Sequence, residues 1–240
     1  MRPLHIIMPM AGEGSRFVNA GWTTPKPLIE LNDKPLFIWA IDSVKINNVP
    51  IKYSFIVRQE HIDRYNIDNV IKSYIPEANI FVVEKTTRGA VETCLIAEPA
   101  IDDNDGVIVI DCDLSFKSAQ FENSIKTALS CDNIDGVLVS FNSNSPKYSY
   151  AEIDNNGYVI RTAEKEVISN NALCGAYFFG NGKSFKSVAH QILLETNFNK
   201  PEYYVSLLYN YLISMGKKVV ITSLDNYYSY GTPDEIKQYM

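Results

Sequence analysis

Short apolar runs alternate with segments of helical spacing along the first half of the chain, and few folds accept that alternation. The first run is Leu4-His5-Ile6-Ile7-Met8-Pro9, which reads as a buried strand. Residues 36–44 then place Leu36, Ile38, Trp39, Ile41 and Val44 at helical spacing behind Pro35. A strand at 53–57, a helix at 62–74, a strand at 80–83, a helix at 90–95 and a Val-Ile-Val-Ile strand within 106–110 follow. Strands alternating with helices indicate βαβ units and a parallel sheet. The second half reads as a helix near 121–129, a strand at 136–141 and two strands flanking Asp154-Asn155-Asn156-Gly157. Asn-Gly is a strong hairpin turn, because both residues tolerate positive φ. A strand at 172–179, helices at 184–194 and 203–214, a strand at 218–222 and a short helix from Pro233 complete the chain. The predicted fold is α/β: a Rossmann-like three-layer sandwich with a mixed, mainly parallel sheet.

A chain of 240 residues with 46% hydrophobic residues can bury its core without disulfides or metal. The net charge is −6, both halves are mildly acidic, and no basic stripe interrupts them. Nucleic acid is therefore not an expected partner. The four cysteines form no C-x-x-C pair and read as reduced thiols, and three scattered histidines offer no zinc site. No segment approaches the roughly 18 apolar residues of a membrane span, and the N-terminal apolar stretch is too short for a signal peptide. The expectation is a cytoplasmic protein with no membrane partner. Nothing in the sequence fixes its oligomeric state.

The most informative segment is Met10-Ala11-Gly12-Glu13-Gly14-Ser15-Arg16-Phe17, directly after the first strand. Two glycines let the backbone turn sharply and present its N–H groups to an anion. Arg16 offers a fork of donors suited to phosphate. Downstream, Lys26 stands between Pro25 and Pro27 on a stiff stretch that can hold its ammonium in place. The dinucleotide fingerprint is excluded, because Phe17 stands where it needs Gly or Ala. A Walker A loop is excluded too, because Tyr177 stands five positions before the only Gly-Lys-Ser, Gly182-Lys183-Ser184.

The string Gly12-x-Gly14-Ser15-Arg16 with Pro25-Lys26-Pro27 resembles the signature of the sugar-phosphate nucleotidyltransferases. That superfamily includes thymidylyl-, guanylyl- and small-molecule cytidylyltransferases. The resemblance implies a glycosyltransferase-A-like fold, the nucleotide-diphospho-sugar transferase type. It implies transfer of a nucleotidyl group from an NTP to a small phosphorylated acceptor, with release of pyrophosphate. It implies catalytic roles for Arg16 at the β- and γ-phosphates and for Lys26 at the α-phosphate. Ala11, Gly12, Gly14 and Ser15 would cradle base and phosphates. One domain over 1–240 is expected, with a nucleotide-binding half at 1–115 and an acceptor-binding half at 116–240.

Asp111-Cys112-Asp113 closes the apolar strand of 106–110. Ligands of open α/β sheets bind beyond the carboxyl ends of strands, so both carboxylates should face the site. Mg²⁺ takes one or two carboxylates from protein and phosphate oxygens for the rest. The resemblance implies Mg²⁺ as cofactor, Asp113 as its ligand and Asp111 among the nucleotide-binding residues. The family's second metal carboxylate falls at Ser229, before Gly231-Thr232-Pro233. Either one protein carboxylate holds the metal, or Asp225 substitutes.

Glu84 to Ala90 follows the strand at 80–83 and resembles the family's second nucleotide segment, with Gly89 at the matching glycine. Glu84 stands at the spacing of a base-reading residue. A carboxylate only accepts hydrogen bonds, so it would suit the N4 of cytosine and hence CTP. An ordinary surface carboxylate at a strand end is the other reading.

Glu164-Lys165 and Gly175 resemble the family's acceptor-binding residues. The resemblance implies that Lys165 holds the acceptor phosphate, Glu164 bonds its hydroxyls and the Gly175 backbone approaches it closely. By analogy the default acceptors are sugar phosphates for surface and capsule polysaccharide, and phosphocholine-like and phosphonate acceptors stay open. Two other functions fit parts of the pattern. A GT-A glycosyltransferase would use Asp111-x-Asp113 to hold a metal and a sugar nucleotide, but it has no pyrophosphate for Arg16 to grip. A non-catalytic nucleotide-sensing domain would explain Ser229.

Overall fold

The densest apolar run of the sequence becomes β1 (Leu4–Met10), inside a nine-stranded sheet. The structure is a computed structural model and describes residues 1–131, 133–196 and 198–239. After β1 come the five-residue helix α1 (Ser15–Asn19), a 3-10 turn at Lys26–Leu28, a ribbon of β2 (Glu30–Leu31) with β3 (Lys34–Pro35), and α2 (Leu36–Val44). The alternation continues through β4 (Ile51–Arg58), α3 (Gln59–Tyr65), α4 (Ile67–Tyr74), β5 (Asn79–Val83), α5 (Ala90–Leu95) and β6 (Gly106–Ile110). The second half holds β7 (Leu114–Lys117), α6 (Ala119–Ser130), β8 (Gly136–Asn142), β9 (Ser149–Ile153), β10 (Val159–Glu164) and β11 (Asn171–Phe179). Then follow α7 (Gly182–Leu193), α8 (Leu208–Ser214), β12 (Val219–Ser223), β13 (Asn226–Ser229) and α9 (Pro233–Lys237).

The main path of the sheet runs β10-β9-β11-β6-β1-β4-β5, with β8 pairing β11 and β12 pairing β8. Pairs around β1 are parallel, and those around β11 are antiparallel, so the sheet is mixed as expected. From β1 the chain moves to β4 on one side and later returns to β6 on the other. Ligands of open α/β sheets bind where the strand order reverses in this way.

Side chains of successive strand residues point to opposite faces, so each strand feeds two cores. Ile6, Met8, Ile108 and Ile110 pack on one face with α2, α4 and α6. Ile7, Val107 and Val109 pack on the other with α5, α7 and α8. Both sets are shielded from water, and each Ile or Val contributes about 1.5–3 kcal/mol by burial. A small third cluster of Phe17, Ile29, Leu31, Leu36, Tyr230 and Ile236 ties the loop after β1 to the last helix.

Two helices depart from the sequence reading. The helix expected over 62–74 is two helices broken at Asn66, whose φ of 49° is left-handed. Asn is among the residues that visit that region at modest cost. The helix expected from 203 begins at Leu208, because the Tyr203 backbone is engaged elsewhere. Tyr203 N donates to Arg88 O, and Val91 N donates to Tyr203 O. The short antiparallel pair β7–β13 is an element the apolar pattern did not signal.

Candidate functional site

A cleft of ≈ 610 Å³ opens at the carboxyl ends of β1 and β6, within the size range of small-molecule sites. Its first wall is the glycine loop. Ala11, Gly12, Ser15 and Arg16 line it, while Gly14 faces a neighbouring hollow behind the loop. Gly14 has a φ of 62° and opens α1, a conformation that favours glycine. Arg16 is exposed and makes no hydrogen bond or ion pair with the described residues.

Lys26 and Asp113 form the floor. Lys26 Nζ donates to Asp113 Oδ2 at 2.8 Å. Burial presses the ammonium to lose its proton, but the charge of Asp113, with Cys112 and Asp111 nearby, outweighs that and raises its pKa above the ordinary value. Asp111 lies deeper. Burial and the adjacent Asp113 push its carboxyl up to about 7, against the pull of Lys26.

The second wall comes from β9, β10 and β11. Gly175 takes a φ of 100°, and a Cβ there would come within 2.7 Å of Asp111 Oδ2 and 2.8 Å of Leu114 Cδ2. Only glycine fits this close approach. Glu164 lines the cleft and is nearly buried; its Oε2 accepts from the hydroxyls of Ser149 and Ser206. Lys165, with φ 55°, stands outside the lining and donates to the Tyr204 hydroxyl at 3.0 Å; the Tyr204 ring does line the cleft.

The third wall is the segment before α5, with Thr86, Thr87 and Gly89. A Cβ on Gly89 would stand 2.5 Å from Tyr203 N, so the glycine is needed because two backbones touch. Glu84 is exposed at the end of β5 and lies outside the lining. The structure thus gathers Ala11, Gly12, Ser15, Arg16, Lys26, Gly89, Asp111, Asp113, Glu164 and Gly175 in one cleft. Glu84, Gly14 and Lys165 stand outside that lining.

Pairing of β13 with β7 brings Ser229 opposite Leu114, and Tyr230 N donates to Asp113 O at 2.7 Å. Ser229 therefore does lie beside Asp113, where a second metal carboxylate was missed. Asp225 does not replace it: its Oδ2 accepts from Ala119 N at the start of α6. Among the described residues no group of three or more His, Cys, Asp or Glu could hold a metal ion. Oxygen donors in small number suit Mg²⁺, which takes most of its shell from phosphates and water.

Sequence reasoning missed Lys147, whose Nζ donates to Glu235 Oε1 at 2.6 Å; Lys147 lines the cleft. It also missed Tyr148 and Glu202 in the lining. Thr232-x-x-Glu235 is a legible capping-box pattern, but that pattern only announces a helix start.

A sequence-family profile described as nucleotidyl transferase matches residues 4–219. No curated protein matches the chain. Among solved structures, a nucleoside-diphosphate-sugar pyrophosphorylase from Vibrio cholerae RC9 is 25% identical, with a TM-score of 0.83 over 98% of each chain. The inositol-1-phosphate CTP transferase from T. maritima is 15% identical, with a TM-score of 0.74 over 98% of this chain and 92% of that one. A UDP-glucose pyrophosphorylase in complex with UDP-glucose is 16% identical, with a TM-score of 0.76 over 99% and 97%. At these lower identities the likeness speaks to the fold.

Proposed function

The chain belongs to the nucleotidyl transferase family, and from that premise we propose that it moves an NMP from an NTP to the phosphate of a small sugar phosphate. The observation that carries this reading is the Lys26–Asp113 pair on the floor of the cleft, between the glycine loop and the Glu164–Gly175 wall.

In the proposed reaction an oxygen of the acceptor phosphate attacks the α-phosphorus. The bond from that phosphorus to the β-phosphate bridging oxygen breaks, and pyrophosphate leaves with the electron pair. A phosphate monoester is already a nucleophile, so alignment and charge neutralisation are what the protein must supply. Lys26 places a fixed ammonium at the α-phosphate. Arg16, with no partner among the described residues, is available to the leaving pyrophosphate. Lys165 and Glu164 orient the acceptor, and Gly175 lets it approach. Asp113 would hold Mg²⁺, which when bound adds positive charge against the phosphates.

Residues 1–115 then form the nucleotide half and 116–240 the acceptor half of one domain. The acceptor is proposed as a sugar 1-phosphate, in line with the neighbours named above as acting on nucleotide sugars. The product would serve surface polysaccharide synthesis in the cytoplasm. CTP is the proposed triphosphate, on the sequence position of Glu84 alone, a carboxylate that could accept from the cytosine N4 but that lies outside the cleft lining in this structure.

Thermal stability with Mg²⁺ and each of CTP, UTP, GTP, ATP and dTTP, beside a panel of sugar nucleotides, tests this without knowledge of the acceptor. Ligand at a hundredfold over its Kd adds about 2.7 kcal/mol, a rise of roughly 5–10 °C. A rise with CTP supports the reading. A rise with sugar nucleotides alone would favour a glycosyltransferase.

A further inference from the structure

We infer that Glu235 supplies the second carboxylate of the metal centre, in place of the one that Ser229 lacks. The inference rests on the nucleotidyl-transfer reading above and names a residue that neither the sequence pattern nor the comparisons assign.

The geometry starts from the β7–β13 pair, which fixes Ser229 and Gly231 beside Asp113. A Cβ on Gly231 would lie 3.3 Å from Asp113 Oδ2, 3.4 Å from Glu235 Oε2 and 3.8 Å from Ser229 Oγ. Three side-chain oxygens thus converge on a space that any larger residue at 231 would begin to fill. Two of them are carboxylate oxygens from different elements. Each of these carboxylates is held by its own cation. Here Lys26 Nζ sits on Asp113, and Lys147 Nζ sits on Glu235 Oε1.

Glu235 is held in this orientation from several sides. Thr232 caps α9, which fixes the backbone three residues on. Ser229 Oγ donates to Glu235 Oε2 at 3.0 Å, and Lys147 takes the other oxygen. Oε1 is therefore engaged by a lysine, while Oε2, which accepts from Ser229, is the oxygen 3.4 Å from that Cβ position at Gly231. A carboxylate that meets a metal through one oxygen and is oriented through its other is a common arrangement. Two carboxylates with phosphate oxygens are the ligand set Mg²⁺ prefers in nucleotide sites. In this chain Ser229 is an orienting group for Glu235.

The test counts bound Mn²⁺ by the electron paramagnetic resonance of the free ion, with Mn²⁺ alone and no nucleotide. The wild-type chain should bind at one site. Glu235→Gln should weaken binding about tenfold or more, and Asp113→Asn should abolish it. Asp234→Asn, an exposed neighbour on the same helix, should change nothing. Adding Ser229→Asp to Glu235→Gln should restore binding, because it returns a carboxylate to the same space. The Mg²⁺ concentration that half-saturates pyrophosphate release should move in parallel. Wild-type affinity in a folded Glu235→Gln chain, or no recovery in the double variant, overturns the assignment of Glu235 alone. A wild-type chain that binds no Mn²⁺ overturns the metal centre itself. The nucleotidyl-transfer reading fails separately, if no triphosphate yields pyrophosphate at any metal concentration.

Discussion

Lys26 Nζ donates to Asp113 Oδ2 at 2.8 Å, with the two side chains only 26% and 19% exposed. The ammonium proposed for the α-phosphate and the carboxylate proposed for the metal thus neutralise one another in a sheltered place. Lys26 is positioned by the turn at Lys26–Leu28, between two prolines, and Asp113 by the end of β6. Substrate phosphates and a metal would replace this pairing with a tighter set of opposite charges.

Lys26→Ala should lower kcat/KM by about 10²–10³-fold, the usual loss when one preorganised charge is removed from a transition state. Pyrophosphate release measures it, and circular dichroism checks the fold. Near-normal turnover in a folded variant would contradict the assignment.

Lys165→Met should raise the KM for the acceptor about tenfold and leave the Kd of the triphosphate unchanged. The lysine now donates to Tyr204 at the cleft margin, so it has only to turn from a tyrosine to a phosphate. Equal losses for both substrates would place it in the nucleotide half instead.

Gly89→Ala should destabilise the chain by about 1–3 kcal/mol. The φ of 141° disfavours a side chain, and the new Cβ would press on the Tyr203 backbone at 2.5 Å. Backbone cannot rotate away as a side-chain tip can. At about 2–4 °C per kcal/mol for a chain of this size, a drop of several degrees in Tm is expected. An unchanged Tm would contradict the contact.

His5 lies on β1, fully buried, and shares a 2.8 Å hydrogen bond between its Nε2 and Ser54 Oγ. Its Nδ1 has no partner among the described residues. Burial pushes its pKa down from 6.5 to about 4, with Lys52 adding to the effect and Asp105 opposing it. Between those values the unfolded chain holds a proton that the folded chain does not. Stability is therefore full above pH about 6.5 and is lost as pH falls toward 4, by about 3 kcal/mol from this group. Urea unfolding at pH 7 and pH 4.5 should show a smaller pH difference in His5→Gln than in wild type.

The parallel half of the fold was legible because its strands are short apolar runs and its helices carry apolar residues at the right period. Leu36–Val44 and Ala90–Leu95 are helices at the residues the spacing marks. Break points were harder, because they depend on single residues and distant partners. Asn66 splits one helix, and Tyr203 pairs with Arg88 instead of joining another. The candidate site was legible where a glycine or proline fixes the backbone, at Lys26, Gly89 and Gly175. Spacing alone did not show that Glu84 is exposed, or that Asp225 is committed to α6. Glu235 and Lys147 are 88 residues apart in sequence, and only the folded chain brings them together.

The central claim is that this cleft transfers a nucleotidyl group. ³¹P NMR of the purified chain with Mg²⁺, a panel of sugar 1-phosphates and each of CTP, UTP, GTP, ATP and dTTP, beside a panel of sugar nucleotides, tests it most directly. The account predicts that pyrophosphate and a new diphosphate diester appear together, in equal amounts, with one acceptor, and that Lys26→Ala slows both by about 10²–10³-fold. Consumption of sugar nucleotides without pyrophosphate, or no reaction with any triphosphate and acceptor, would contradict it.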